Sequence, residues 1–143
     1  MAIQPYLFFD GRTDEALEFY RKHLGAEIGM VMRFKDSPDG PPPGYDVPPD
    51  KVMHSEMRIN GTLVMASDGM QCGGKPSFSG FSLTYEAVDA ADATRRYDAL
   101  VSSGGQVQMP LSKTFFSPRF GVVTDKFGMS WLVVMEQAGA PPK

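Results

Sequence analysis

Hydrophobic and polar positions alternate along this chain with two different periods. Strand-like runs with alternating apolar residues occur at "PYLFF" (5–9), "EIGMVMRF" (27–34), "VMHSEMRI" (52–59) and "TLVMAS" (62–67). Between the first two, "TDEALEFYRKHLGAE" repeats its apolar residues at helical spacing: Ala16, Leu17, Tyr20 and Leu24. Thr13 is expected to cap this helix, Asp14 and Glu15 suit its positive N-terminal end, and Gly25 stops it. "RINGTLV" predicts a hairpin with Asn60-Gly61 as a type I′ turn. The second half repeats the order. "GFSLTYEA" (80–87) reads as a strand, and "DAADATRRYDALVSSGG" as a helix opened by Asp89 and ended at Gly104-Gly105. "QVQMPL" (106–111), "FGVVTD" (120–125) and "SWLVVME" (130–136) supply three more strands. The order β-α-β-β-β therefore occurs twice, and each copy alone cannot bury its apolar face.

The expected organisation is a first βαβββ module at 1–68, a glycine-rich linker at 69–79, a second module at 80–137 and a flexible tail at 138–143, all within one structural domain. The first module is interrupted at 35–51 by "KDSPDGPPPGYDVPPDK", with six prolines and two glycines. Such composition forms neither ladder nor helix and predicts a long loop, either a disordered excursion or a lid over a site. The linker is not a phosphate loop, because no Gly-Lys-Ser/Thr follows and no helix starts there.

Composition narrows the function classes. A net charge of −3 over 143 residues argues against a nucleic-acid binder. Arg95-Arg96, beside Asp92 and Asp98, reads as a solvated helix face. With Cys72 the single cysteine, neither an intrachain disulfide nor a cysteine-based metal knuckle is available. "MAIQPYLFFDGR" lacks the pattern of a signal peptide, and no window approaches the roughly 20 apolar residues of a membrane helix. A cytoplasmic protein without a membrane partner is expected. Ten methionines suit either core filling or an adaptable apolar pocket.

Strand alternation puts His54, Glu56 and Arg58 on one face and Met53, Ser55, Met57 and Ile59 on the other. His54 suits a general base whose tautomer Glu56 fixes. Against this, residues two apart on a strand lie about 6.5–7 Å from each other, and Glu56 has Arg58 or a cross-strand neighbour as alternative partners. Ser67 shares a face with Leu63 and Met65 and offers a hydroxyl, while Asp68-Gly69 reads as a turn. In "SKTFFSPRFG" (112–121), Phe115, Phe116 and Phe120 can stack on a ligand and Arg119 can pair an anionic group. Alternatively, the phenylalanines anchor the loop and Arg119 pairs with Asp125. Trp131 is expected on the helix-facing side. The helix dipole accounts for His23.

The paired modules resemble the vicinal oxygen chelate superfamily, the fold of glyoxalase I, extradiol dioxygenases and bleomycin-resistance proteins. "PYLFFDGRTDEALEFYRKHLGAE", "HSEMRING", "SDG", "SGFSLTY" and "TFFSPRFGVVTDKFGMSWLV" resemble its PhnB-like, demethylubiquinone-methyltransferase-like branch, over about residues 3–136. The resemblance implies an α+β fold with two curved, mainly antiparallel sheets around a cavity. In metal enzymes of the superfamily four side chains from the first and last strands of the modules hold a divalent cation. Those positions fall at Pro5 (or Gln4 with a one-residue slip), Met65, Phe81 and Leu132, which offer almost no donors to such an ion. No metal cofactor is therefore expected. The resemblance, with those four positions so occupied, implies a small-molecule-binding protein. Its apolar pocket is built on Met65, Phe81, Phe116 and Leu132, with His54, Ser67 and Arg119 fixing the ligand. The alternative is an enzyme of lyase, isomerase or dioxygenase type that uses His54 and Glu56 as an acid–base pair or relocated metal ligands. A third class is a pocket collapsed on its own side chains. The methyltransferase label finds no glycine-rich turn followed by an acidic strand end of the kind an adenosyl-methionine site shows. A homodimer is expected, because open sheet edges need cover.

Overall fold

The computed structural model describes residues 2–39, 44, 46–69 and 73–136. Among them are eight strands and two α-helices in the order β1 (Tyr6–Phe8), α1 (Thr13–Leu24), β2 (Glu27–Arg33), β3 (Val52–Ile59), β4 (Thr62–Ser67), β5 (Leu83–Ala87), α2 (Ala90–Ser102), β6 (Gln106–Ser112), β7 (Phe120–Thr124) and β8 (Ser130–Met135). The chain divides into two compact units, Met1–Pro76 and Ser77–Lys143. Each holds one four-stranded sheet, ordered β1-β4-β3-β2 in the first and β5-β8-β7-β6 in the second. The first and last strands of each unit pair in parallel and the other pairs are antiparallel. This is the expected α+β repeat: β-α-β-β-β twice, the helix carrying the chain across its own sheet. Among the described residues no helix is long and apolar enough to cross a membrane.

In the first unit, Ala16, Leu17, Tyr20 and Leu24 of α1 are buried together with Ser55, Met57 and Ile59 of β3 and Val64 and Ala66 of β4. Period 3.6 on the helix and period 2 on the strands thus converge on one core. Gly25 ends α1 in the left-handed conformation, its N–H donating to the Tyr20 carbonyl. At Asn60-Gly61 both φ angles are positive, 52° and 85°, as a type I′ turn requires.

The start of α1 differs from expectation. Thr13 is the first residue of α1, and no side chain caps the helix from Arg12. Both the backbone N–H and the hydroxyl of Thr13 donate to Asp68 Oδ1, at 2.9 and 2.6 Å, while Val52 N–H donates to Asp68 Oδ2 at 2.8 Å. Asp68, read as a turn former, is 2% exposed. A carboxylate accepts several donors at once, so a single residue satisfies the orphan amide of α1 and the start of β3 together. In the second unit Asp89 caps α2 as expected, accepting from Asp92 N–H at 2.7 Å.

Two charged groups of the second unit also sit inside rather than on the surface. Asp125 accepts from the Phe127 and Met129 amides and from Trp131 Nε1 at 2.9 Å. Trp131 is buried, on the helix-facing side as expected, and Arg119 donates to the Pro118 carbonyl instead of Asp125. Asp92, in the first turn of α2, is buried and accepts from Tyr85, Val88, Arg95 and Arg96. Arg95 is solvated as expected and Arg96 is half-buried, and both pair with the buried Asp92. Burial pushes the Asp92 carboxyl up most strongly, but the Val88 amide, the Tyr85 hydroxyl and the two arginines together bring it below the usual range.

Beyond β2, Phe34–Asp36 forms a short 3-10 turn with Phe34 buried. The proline-rich loop is tied at its ends: Arg33 pairs with Asp14 at 2.7 Å and reaches the Asp50 carbonyl, and Lys35 pairs with Asp50. Its tip (40–43 and 45), Cys72 and the tail at 138–143 lie outside the described residues.

Candidate functional site

One face of the first sheet lies under α1; the other carries the polar residues. Cross-strand partners share a face, so the register places Tyr6 and Glu56 beside Met65, Phe8 beside Ser67, Arg58 beside Leu63 and Glu27, and His54 beside Met32. This face mixes aromatic, thioether and charged side chains, whereas its reverse holds Ser55, Met57, Val64 and Ala66.

Across it runs a line of hydrogen bonds. From β1, the Tyr6 hydroxyl lies 2.9 Å from His54 Nδ1 on β3, and His54 Nε2 lies 3.1 Å from Glu56 Oε2. Burial pushes the Tyr6 phenol above its ordinary value, with the Ser67 hydroxyl offsetting part of the effect, so the phenol keeps its proton at neutral pH. In the neutral imidazole, Nε2 faces the acceptor-only carboxylate and carries the ring hydrogen, leaving Nδ1 to accept from Tyr6. The rings of Tyr6 and His54 stack obliquely with centroids 5.6 Å apart, and Phe8 lies 5.2 Å beyond Tyr6. His54 and Glu56 remain reachable, their side chains 25% and 35% exposed.

The i, i+2 spacing that argued against contact is bridged because both side chains are long enough to lean along the strand. Glu56 takes His54 as partner, and Arg58 lies near the Gly61 carbonyl instead. Alternation alone does not single out Tyr6: it leaves the first-strand position at Pro5, or at Gln4 with a one-residue slip, whereas Pro5 alternates with Tyr6 and uses its carbonyl to accept the Met65 amide. The signal was available in the alternation of Gln4, Tyr6 and Phe8 against Pro5 and Leu7. What the sequence lacked was the register that sets Tyr6 against Met65.

Other expected site residues have separate roles. Ser67 is 3% exposed, its hydroxyl accepting from Gly69 N–H at 2.9 Å and donating to the Val52 carbonyl at 3.3 Å. In the second unit, Leu132 stands in register with Thr84 and Val122. Phe81 is not on the strand with them: β5 starts at Leu83, and Phe81 packs edge-on against Phe78 instead. The glycine and serines around Phe81 favour a turn, which delays the start of the ladder. Phe116 packs between Phe115 and Phe120, both edge-on. Arg119 is exposed.

The twin four-stranded sheets define the class: a vicinal oxygen chelate, or glyoxalase-type, fold. The chain belongs to the family described as 3-demethylubiquinone-9 3-methyltransferase, whose model matches residues 1–134. It is 35% identical to Protein YjdN of Escherichia coli K12 over 140 residues, covering 93% of this chain and 94% of that protein. Among solved structures, protein PA1353 from Pseudomonas aeruginosa shares 37% identity with a TM-score of 0.80, covering 96% of this chain and 98% of the other. Likeness of fold alone extends to the fosfomycin resistance protein FosX of Listeria monocytogenes, solved with Mn(II) and sulfate, at 7% identity and a TM-score of 0.63, over 96% and 91% of the two chains.

At the expected ligand positions on the first and last strands, the residues present do not fit a divalent cation. The first–last strand pairs there are Tyr6 with Met65 and Thr84 with Leu132, with Phe8–Ser67 and Glu86–Val134 next along the same faces. A neutral phenol, a thioether, a hydroxyl and a hydrocarbon make no donor set for a hard or borderline ion. Among the described residues no group of three or more His, Cys, Asp or Glu side chains is placed to hold a metal.

Proposed function

We propose that this protein binds a small, partly flat organic molecule on the open face of its first sheet, without a resident metal. The observation that carries this reading is the Tyr6–His54–Glu56 hydrogen-bond line, set among Phe8, Met65 and Leu63. A few fixed polar groups within an apolar surround are the usual composition of a ligand site. Phe8 and Met65 supply an adaptable apolar floor, and the ordered line gives direction to a ligand's hydrogen bonds. Native mass spectrometry of the purified protein tests the reading by recording a co-purifying molecule, any ion and the oligomer together. With a ligand in hand, Tyr6→Phe is expected to weaken binding about tenfold, the equivalent of ~1.4 kcal/mol. Unchanged affinity in both Tyr6→Phe and His54→Ala would remove the site. A stoichiometric divalent ion would replace this reading with a metalloenzyme.

A second reading, acid–base catalysis, is favoured by one specific feature: an imidazole held between a phenol and a carboxylate. In that reading the proton passes between Tyr6 and His54 while Glu56 stabilises the imidazolium. Turnover that survives His54→Gln would overturn it. The assembly proposed is a homodimer that covers the sheet edges, among them β6, which is exposed along most of its length.

A further inference from the structure

The hydrogen-bond line ends beside a recess in the sheet. β2 bulges opposite β3: Ile28 pairs with Met57 and Val31 with Ser55, leaving Gly29 and Met30 against Glu56 alone. Next to this bulge lies an open recess of about 250 Å³, walled by Glu27, Gly29, Glu56, Arg58 and Leu63 among others. That is just below the roughly 300–1,000 Å³ of drug-sized ligand pockets, so it suits a smaller molecule.

Three charged side chains meet there. Glu56 spends Oε2 on His54, but a carboxylate has about four acceptor positions, so it retains capacity for a ligand. Glu27 and Arg58 are register partners across the two strands, yet they form no ion pair with each other among the described residues. Elsewhere on the surface opposite charges do close on one another, as Arg33–Asp14 and Lys35–Asp50 do. Two carboxylates and a guanidinium thus line one recess, with one Arg58 nitrogen 3.5 Å from the Gly61 carbonyl. A simple anion placed there meets two like charges, and a simple cation meets Arg58. A molecule carrying both signs satisfies all three.

We propose that this recess is a subsite for a small zwitterion, a compound with an ammonium group and an acidic oxoanion a few bonds apart. Its ammonium lies between Glu27 and Glu56, its oxoanion on Arg58 and its carbon skeleton on Leu63. The inference rests on the reading of the open face as a ligand site. It adds a chemical class, with Glu56 the residue shared by the recess and the hydrogen-bond line.

The test is an amide and methionine-methyl NMR titration of the full chain. β-Alanine and L-serine serve as zwitterions, and ethanolamine and propionate as single-charge controls. Expected are saturable shifts confined to residues 27–29, 56–58 and 63 with the zwitterions, at least fivefold weaker with either control. Gly29→Leu is designed to fill the recess. A Cβ at Gly29 meets only the Glu56 carbonyl oxygen, at the ordinary distance of 3.5 Å, so the branch point itself meets no clash, and a retained thermal midpoint checks that the variant folds. It should abolish the shifts and leave the Tyr6 and His54 resonances in place. Arg58→Gln, at an exposed strand position, should reduce zwitterion binding to the ethanolamine level. Equal response to all four probes overturns the chemical class. No response to any probe, or a response that survives Gly29→Leu, overturns the subsite. An aromatic probe such as indole, read at the Met65 methyl, reports separately on the open face: a shift there with silent zwitterions leaves the binding reading standing and removes only the recess.

Discussion

Among single residues, two buried aspartates hold contacts that their neighbours in sequence do not announce. Asp68 receives three hydrogen bonds from the first turn of α1 and the start of β3. Asp68→Asn turns one acceptor oxygen into an amide donor facing another donor, and is expected to cost about 3 kcal/mol, read as a lower urea midpoint with unchanged slope. Asp125→Asn can keep its oxygen toward the Phe127 and Met129 amides but then opposes Trp131 Nε1 with a second N–H. A loss of about 1–3 kcal/mol is expected. Trp131 is the chain's one tryptophan, so its fluorescence reports the second unit directly. For His54 the prediction is a tautomer: long-range ¹H–¹⁵N spectra at neutral pH should show Nδ1 without a hydrogen, and Glu56→Gln should weaken that preference.

Between elements, packing leaves little room beneath α2. A Cβ at Gly121 on β7 would lie 2.7 Å from a ring carbon of Tyr97 and 3.0 Å from the Leu111 Cα. Tyr97 is held in turn by its hydroxyl on the Met109 carbonyl. Gly121→Ala should therefore destabilise the protein by about 1–3 kcal/mol, checked by thermal unfolding. The same helix carries the acid response. The Asp92 carboxyl titrates lower in the folded protein than in the unfolded chain, so the stability it contributes is complete above the ordinary aspartate value near 4. It is lost as pH falls through the lower folded value. Unfolding midpoints followed by Trp131 fluorescence should fall below about pH 4, and Asp92→Asn should start less stable and respond less to acid.

Across the whole molecule, the two units share one strand order but have diverged in chemistry. The first carries a phenol–imidazole–carboxylate line on its open face; the corresponding strands of the second present Thr84, Glu86, Val122 and Leu132. Because the first–last strand pairs make no donor set for a cation, stability is expected to be independent of metal. Treatment with EDTA should leave the melting temperature unchanged within error, and a drop of several degrees would mark a structural ion.

Residue order was enough to specify the repeat, the helix periods, the Asn60-Gly61 hairpin, the helix stop at Gly25 and the separation of His54 and Glu56 from Met57 and Ile59. These follow from φ restrictions and from periods of 2 and 3.6, which act within a few residues and are written in residue type. Folding in three dimensions was needed to show that Tyr6 rather than Pro5 reaches His54, that Phe81 precedes its strand, that Asp68 joins a helix start to the start of β3, and that Asp92 and Asp125 are buried. Each of these depends on which groups a ladder or a packed helix brings within hydrogen-bond reach or shields from water. Register and the satisfaction of buried donors choose those partners, and both are properties of the folded chain as a whole.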